Sequence, residues 1–189
     1  PYNENCIPNV IKLVDAPLTK YSASARISNT AAGLRFKAHF TNEYLAYMAN
    51  YAEAKGETME IGTLIAPADY IKGEFTHAAL GKGNYVEVMA DLDTPFSDIN
   101  GVTTIAGSLV NIKEANLDRD FAGIGFIKIG NEYFYTDNYT VKNVSDIASA
   151  ALADTKAVAG NGYDYKVSEG VYSPYSEGQR NVLNTLIAK

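Results

Sequence analysis

The sequence contains very little cysteine and no tryptophan: one Cys and no Trp occur among its 189 residues. A single thiol, that of Cys6, excludes an intramolecular disulfide and a zinc site built from cysteines of this chain, because each needs at least two thiols. We therefore expect packing, rather than crosslinks, to stabilise the fold. The absence of Trp removes the largest flat ring available for stacking against a ligand, so that role would fall to tyrosine.

Histidine and positive charge are also scarce. The two histidines, His39 and His77, lie on separate predicted elements far apart in the chain, which disfavours a joint metal site. Lys and Arg together number 16 against 22 Asp and Glu, for a net charge of −6. An acidic surface of this kind disfavours nucleic acid as a partner. No window approaches the roughly 20 consecutive apolar residues of a membrane span, so we expect no such span.

Tyrosine is plentiful instead, with 14 residues, and the hydrophobic fraction of 47% is typical of a globular chain. The length favours a single domain over 1–189. Predicted strands and helices follow one another in mixed order, without regular βαβ alternation or an internal repeat of roughly 20 to 50 residues. This order predicts an α+β fold: a largely antiparallel β-sheet or sandwich with about three packed helices.

The clearest strand is predicted over 34–40 from its two-residue alternation of apolar and polar side chains. Four apolar residues share one face, which we expect to be core. Arg35, Lys37 and His39 share the other face, which we expect to be basic and solvated.

Turn chemistry predicts two further features. Gly130-Asn131 is a two-residue hairpin signature, so the strands 121–129 and 132–136 should pair antiparallel. The segment 91–101 is polar and ends in Asn100-Gly101, a strong turn signal, and we interpret it as a loop.

Capping residues mark two of the predicted helices. Thr41 or Asn42 can begin a helix that runs to about Lys55, where a glycine follows in the position of a left-handed C-terminal cap. Ser145 is a suitable N-cap for a helix over 146–153.

The two ends of the chain carry different signals. Residues 1–20 hold three of the six prolines, and we interpret them as an extended N-terminal segment with one edge strand. Near the other end, Ser176 and Gln179 have the spacing of a capping box. An apolar stripe follows them, so 176–189 is predicted to form a C-terminal docking helix.

The acidic loop is a candidate ion site. Asp91, Asp93 and Asp98 could converge as oxygen ligands for Ca²⁺. Their spacing departs from the twelve-residue calcium loop, because Pro95 and Phe96 stand where a ligand and a glycine are required. We therefore favour a solvated, turn-forming loop and keep calcium as the alternative; nothing else in the sequence indicates a cofactor.

Paired carboxylates could instead indicate hydrolysis of a glycosidic bond. That reaction needs two carboxyl groups about 5 to 10 Å apart across a cleft, with one held protonated. Asp118 and Asp120 are two residues apart, as are Asp91 and Asp93. A charged turn or an ion-pair cluster around Arg119 explains the Asp-Arg-Asp run more simply.

Three ordered stretches together resemble a known module: GLRFKA at 33–38, GTLIAPADY at 62–70 and SLVNIKEANLDRDF at 108–121. The likeness covers 21–155 and is to an uncharacterised accessory module of large exported or surface proteins of anaerobic Gram-positive bacteria. The resemblance implies an extracellular or cell-surface location and neighbouring domains in a larger protein. It implies no catalytic residue, because no activity is established for such modules.

These observations lead to a prediction of function as a non-catalytic accessory module that binds carbohydrate or another surface polymer. Exposed tyrosines around the hairpin would line the site, with arginines beside them if the sheet order brings them near: Tyr133, Tyr135, Tyr139, Arg35 and Arg119. Tyrosines in such positions are more often cross-strand packing partners than ligand platforms, so packing stays the alternative for each of the three.

Two alternatives from other classes stay open. The first is a glycan-acting hydrolase, which requires two facing carboxyl groups in a concave pocket, one of them desolvated. The second is a purely structural or protein-docking unit, which would present a flat apolar patch of several hundred Å² rather than a groove.

Overall fold

The computed structural model describes residues 10–11, 23–28, 31–153 and 175–189. Within these ranges the chain forms ten strands: β1 Val10–Ile11, β2 Ala23–Arg26, β3 Gly33–Thr41, β4 Met59–Pro67, β5 Val86–Ala90, β6 Ser97–Ile99, β7 Val102–Val110, β8 Phe121–Ile129, β9 Glu132–Thr136 and β10 Thr140–Lys142. The same ranges contain four α-helices: α1 Asn42–Lys55, α2 His77–Leu80, α3 Val144–Ala153 and α4 Glu177–Asn184.

The strands form two sheets. The larger sheet has the order β1-β9-β8-β4-β5, with β10 also pairing to β8, and the smaller sheet has the order β2-β3-β7-β6. All of these pairings are antiparallel except that of β1 with β9, which is parallel. With their packed helices, the two sheets confirm the predicted α+β class with a sandwich-like arrangement.

The two sheets approach each other closely where β8 lacks side chains. A Cβ at Gly123 would collide with the ring of Phe36 on β3, and one at Gly125 would stand 2.5 Å from Cβ of Ala38. These glycines let the apolar face of β3 lie directly on β8. Because β3 points this face inward, its other face, with Arg35 and Lys37, lies on the outside of the smaller sheet.

The predicted solvated position of His39 is wrong. Its side chain is buried, with 1% of the residue exposed. Nδ1 lies 2.9 Å from Oγ1 of Thr104, its cross-strand partner on β7, so a polar contact on the neighbouring strand accommodates the ring. Burial, assisted by the charge of Lys37, lowers the pKa of His39 to about 4, and the imidazole is neutral near pH 7.

The predicted hairpin and turn are confirmed, and the predicted loop is partly wrong. β8 and β9 pair antiparallel around Gly130-Asn131, and Gly130 has a φ of +59°. Asn100 and Gly101 also have positive φ, as the turn signal requires. The segment before them contains the short strand β6, which pairs with β7. The sequence did not indicate this strand, because its three residues are too few to show an alternating pattern.

The cap of α1 is confirmed, and that of α3 needs correction. The Thr41 side chain accepts a hydrogen bond from the backbone N–H of Tyr44 at the start of α1. Helix α3 begins earlier than expected, and Asn143 Oδ1 accepts the N–H of Asp146 at 2.7 Å. Ser145, the predicted cap, is buried and accepts the N–H of Ala188 instead.

Helix α4 begins with the predicted capping box, formed by Ser176 and Gln179. It lies against α3, and Leu183 and Leu186 are buried in the same apolar cluster as Val144. The rest of 1–20, with Cys6, and the segment 154–174 lie outside the described residues. None of the helices in the described ranges combines the length and the apolar character needed to cross a bilayer.

Candidate functional site

An aromatic layer covers the outer face of the larger sheet, with His77 at its centre. His77 is the first residue of α2, which Thr76 caps. The centroid of the imidazole lies 4.2 Å from that of Tyr133, 5.0 Å from that of Phe126 and 5.1 Å from that of Tyr85. The ring therefore fixes the short helix against β8, β9 and the start of β5.

The polar atoms of His77 are held on two sides. Its backbone N–H donates to the hydroxyl oxygen of Tyr135 at 3.1 Å, and Nδ1 lies 2.7 Å from the same oxygen. Nε2 lies 3.6 Å from a carboxylate oxygen of Glu87. The Tyr135 oxygen accepts the backbone N–H, and its contact with Nδ1 runs in the direction that the tautomer of the imidazole sets, because a hydroxyl group can both donate and accept. Burial lowers the pKa of His77, although Glu87 opposes this shift.

The structure brings two of the three predicted tyrosines together. Tyr133 and Tyr135 stack with centroids 6.2 Å apart, and both are half-buried against His77. Tyr139 is 46% exposed and meets the ring of Phe75 edge-on. The hydroxyl of Tyr135 is already engaged inside the protein, so the packing alternative explains this pair better than a ligand platform does.

The two predicted arginines lie in different places. Arg35 is on the outside of the smaller sheet, with its guanidinium carbon 5.2 Å from the ring centroid of Phe96, whereas Tyr133 and Tyr135 are on the outside of the larger sheet. The whole sandwich separates Arg35 from the tyrosines, because Phe36 beside it points inward to β8.

Arg119 stands beside an exposed tyrosine at the end of β4. Its Nη2 donates to both carboxylate oxygens of Asp69 at 2.9 and 3.0 Å, and its guanidinium lies 5.1 Å from the ring centroid of Tyr70. The predicted ion pair thus uses Asp69 rather than its sequence neighbours. Asp118 and Asp120 are both exposed, so neither provides the desolvated carboxyl group that a hydrolase requires.

A shallow pocket of about 260 Å³ lies next to Tyr70, where β5 begins alongside the end of β4. All ten described residues that line it are uncharged: Ile65, Ala66, Pro67, Tyr70, Gly83, Asn84, Tyr85, Val86, Leu109 and Phe121. Tyr85 belongs both to the pocket and to the aromatic layer around His77. We call this cavity the Tyr70 pocket and treat it as the candidate site.

Pairing of β4 with β5 builds the Tyr70 pocket. Ile65 lies opposite Val86 in this ladder, so the segment after β4 and the segment before β5 meet at one end of the sheet. Asn84 is fixed there, because its Nδ2 donates to the carbonyl of Leu80 at 2.8 Å. Reasoning from the sequence missed the pocket; the available signal was Tyr70 just after one predicted strand and the pair Asn84-Tyr85 just before the next.

Hydrogen bonds from its own residues and from the start of α1 stabilise the acidic loop. Asp91 accepts hydrogen bonds from the N–H of Asp93 and from the hydroxyl of Thr94. Asp98 accepts one from the side chain of Asn42. In the part of the chain that the structure describes, no three acidic, His or Cys side chains are grouped to hold a metal ion, so the calcium site stays a prediction without support from this geometry.

A second cavity, of about 330 Å³, lies beside the C-terminal segment and includes Glu114, Leu117 and Lys189 in its lining. The described residues around it contribute no aromatic ring, so the Tyr70 pocket is better suited to stacking. Comparisons with protein-family models, with curated proteins and with solved structures found no match to this chain.

Proposed function

We propose that this chain is a non-catalytic module of a secreted or surface-attached bacterial protein and that it binds carbohydrate at the Tyr70 pocket. The observation that supports the proposal most directly is the setting of Tyr70. Its side chain borders the pocket while remaining 44% exposed. A single exposed tyrosine is common on protein surfaces, but Tyr70 lies beside both a cavity and the guanidinium of Arg119.

Stacking explains why such a ring can bind a sugar. One face of a pyranose carries C–H groups, and a tyrosine offers it a flat apolar surface with a polar tip. The guanidinium of Arg119 lies over Tyr70 and is itself held by Asp69 through three hydrogen bonds. A ring held in place loses less conformational entropy on binding than a mobile one, which improves affinity.

Asn84 supplies a polar group at the rim of the pocket. Its amide nitrogen is engaged with the carbonyl of Leu80, which orients the side chain and leaves the amide oxygen to accept from a sugar hydroxyl. The combination of aromatic and aliphatic walls with one oriented amide is typical of small-molecule sites, in which few polar groups determine orientation.

The test is a comparison of two exposed tyrosines. Binding of the purified protein to a glycan array, followed by calorimetry on any ligand found, would be measured for the wild type, Tyr70→Ala and Tyr139→Ala. The two side chains are exposed to a similar extent, 44% and 46%, and both variants should stay folded. We expect Tyr70→Ala to weaken binding at least tenfold, about 1.4 kcal/mol, and Tyr139→Ala to bind as the wild type does.

Two results would overturn this proposal. If the wild type bound no glycan, carbohydrate recognition would be excluded and the protein-docking alternative would be favoured. If Tyr139→Ala removed binding while Tyr70→Ala did not, the site would lie at the hairpin tyrosines rather than at the Tyr70 pocket.

A further inference from the structure

We infer that the Tyr70 pocket selects a neutral, N-acetylated sugar, with the acetamido methyl group against its apolar wall. This inference rests on the proposed function and adds the chemical class of the ligand. It follows from the described residues of the lining, which carry no charge and include one oriented amide, that of Asn84.

The wall of the pocket is largely hydrocarbon. Six of the ten described residues that line it have no polar side-chain atom: Ile65, Ala66, Pro67, Val86, Leu109 and Phe121. A sugar with hydroxyl groups at every position would place one or more of them against this wall, where they would lose water without gaining a hydrogen bond. A methyl group is stabilised in the same place, because its apolar surface leaves water.

The absence of charge from the lining distinguishes an acetamido group from a free amine or a carboxylate. Each described residue that lines the Tyr70 pocket is uncharged, so a charged substituent would be desolvated there without a counterion. The charged pair beside Tyr70, Arg119 and Asp69, is already joined by two short hydrogen bonds.

The amide of an acetamido group also has a partner at the rim. Its N–H can donate to the side-chain oxygen of Asn84, whose nitrogen is held by Leu80. The cavity of about 260 Å³ is smaller than the roughly 300 to 1,000 Å³ of pockets for drug-sized ligands. It therefore suits one sugar residue with its substituent, and the rest of a chain would extend over Tyr70.

The experiment compares three hexasaccharides of the same backbone: one of N-acetylglucosamine, one of glucose and one of glucosamine, in mildly acidic buffer where the amines of the third are charged. Calorimetry with the wild type should give an affinity for the N-acetylated hexamer at least tenfold higher than for the other two. Tyr70→Ala should reduce this affinity at least tenfold.

A matched pair of charge substitutions tests the wall itself. Val86 in the pocket and Val141 on β10 are exposed to a similar extent, 43% and 40%, so Val86→Asp and Val141→Asp should both fold, as a thermal unfolding scan would verify. We expect Val86→Asp to reduce the preference for the N-acetylated hexamer at least tenfold and Val141→Asp to leave it unchanged.

The outcomes separate this inference from the proposed function. Binding of the glucose hexamer as tightly as the N-acetylated one, with loss in Tyr70→Ala, would overturn the N-acetyl selectivity and keep the carbohydrate site. Tighter binding of the glucosamine hexamer, or no effect of Val86→Asp, would also overturn the selectivity. No binding of any of the three, together with a glycan array without ligands, would overturn both.

Discussion

The hydroxyl oxygen of Tyr135 contacts both the backbone N–H of His77, at 3.1 Å, and its side-chain Nδ1, at 2.7 Å. Tyr135 on β9 thereby fixes both the start of α2 and the orientation of the His77 ring. Because the segment that follows α2 leads directly into Asn84 and Tyr85, this contact also positions one wall of the Tyr70 pocket.

Removing that hydroxyl should destabilise the protein. Tyr135→Phe keeps the ring but leaves two polar groups of His77 without their partner, and a lost buried hydrogen-bond partner costs about 1 to 3 kcal/mol. Urea unfolding would measure the change, with Tyr139→Phe as the control, since Tyr139 is largely exposed. Equal unfolding free energies for the two variants would contradict the role given to the Tyr135 hydroxyl.

The buried His39 makes stability depend on pH. Its pKa is lowered from 6.5 to about 4 in the folded protein, first by burial and then by the charge of Lys37. The unfolded chain therefore binds a proton more readily, so the contribution of His39 is complete above about pH 6.5 and is lost as the pH falls towards 4. By pH 4 the loss should reach about 3 kcal/mol.

Urea unfolding at several pH values between these limits would measure this loss. Carboxylates titrate in the same range, so the reference is His39→Gln, in which their contribution is retained. We expect the variant to lose stability less steeply than the wild type as the pH falls. Parallel pH profiles would show that His39 is protonated equally well in the folded and unfolded states.

Local chemistry made parts of the fold predictable. The turn at Gly130-Asn131 and the capping box of Ser176 with Gln179 each depend on residues within a few positions of one another. The structure has both where the sequence places them. The inward face of β3 was likewise evident from its two-residue alternation.

Contacts between distant segments account for what the sequence did not reveal. His39 is buried beside Thr104, which is 65 positions further along the chain. The Tyr70 pocket exists only because Ile65 and Val86 pair across two strands. A periodic pattern identifies which side of a strand is apolar, but it does not determine which strand lies next to it or which sheet an arginine such as Arg35 occupies.

The close approach of the two sheets can be tested at Gly123. An added methyl group in Gly123→Ala would collide with the Phe36 ring, and overpacking of a core typically costs about 1 to 3 kcal/mol. Gly73→Ala is a suitable control, because a Cβ built there meets nothing within 4 Å. If the clash is the cause, adding Phe36→Leu to Gly123→Ala should restore part of the lost stability. A double variant less stable than Gly123→Ala alone would contradict the packing described for β3 and β8.

The role of Arg119 as a positioning residue gives a prediction that separates binding from stability. Lys in its place keeps the positive charge but lacks the planar fork that donates to both oxygens of Asp69 and lies over Tyr70. Because the Arg119–Asp69 pair is on the surface, where ion pairs add little to stability, the unfolding midpoint of Arg119→Lys should match that of the wild type. Its affinity for the glycan identified on the array should fall several-fold, though less than in Tyr70→Ala, because the ring remains but is less firmly held.

Calorimetry would separate two contradicting outcomes. An unchanged affinity would mean that Tyr70 needs no support from the guanidinium. A fall equal to that of Tyr70→Ala would mean that Arg119 itself contacts the sugar.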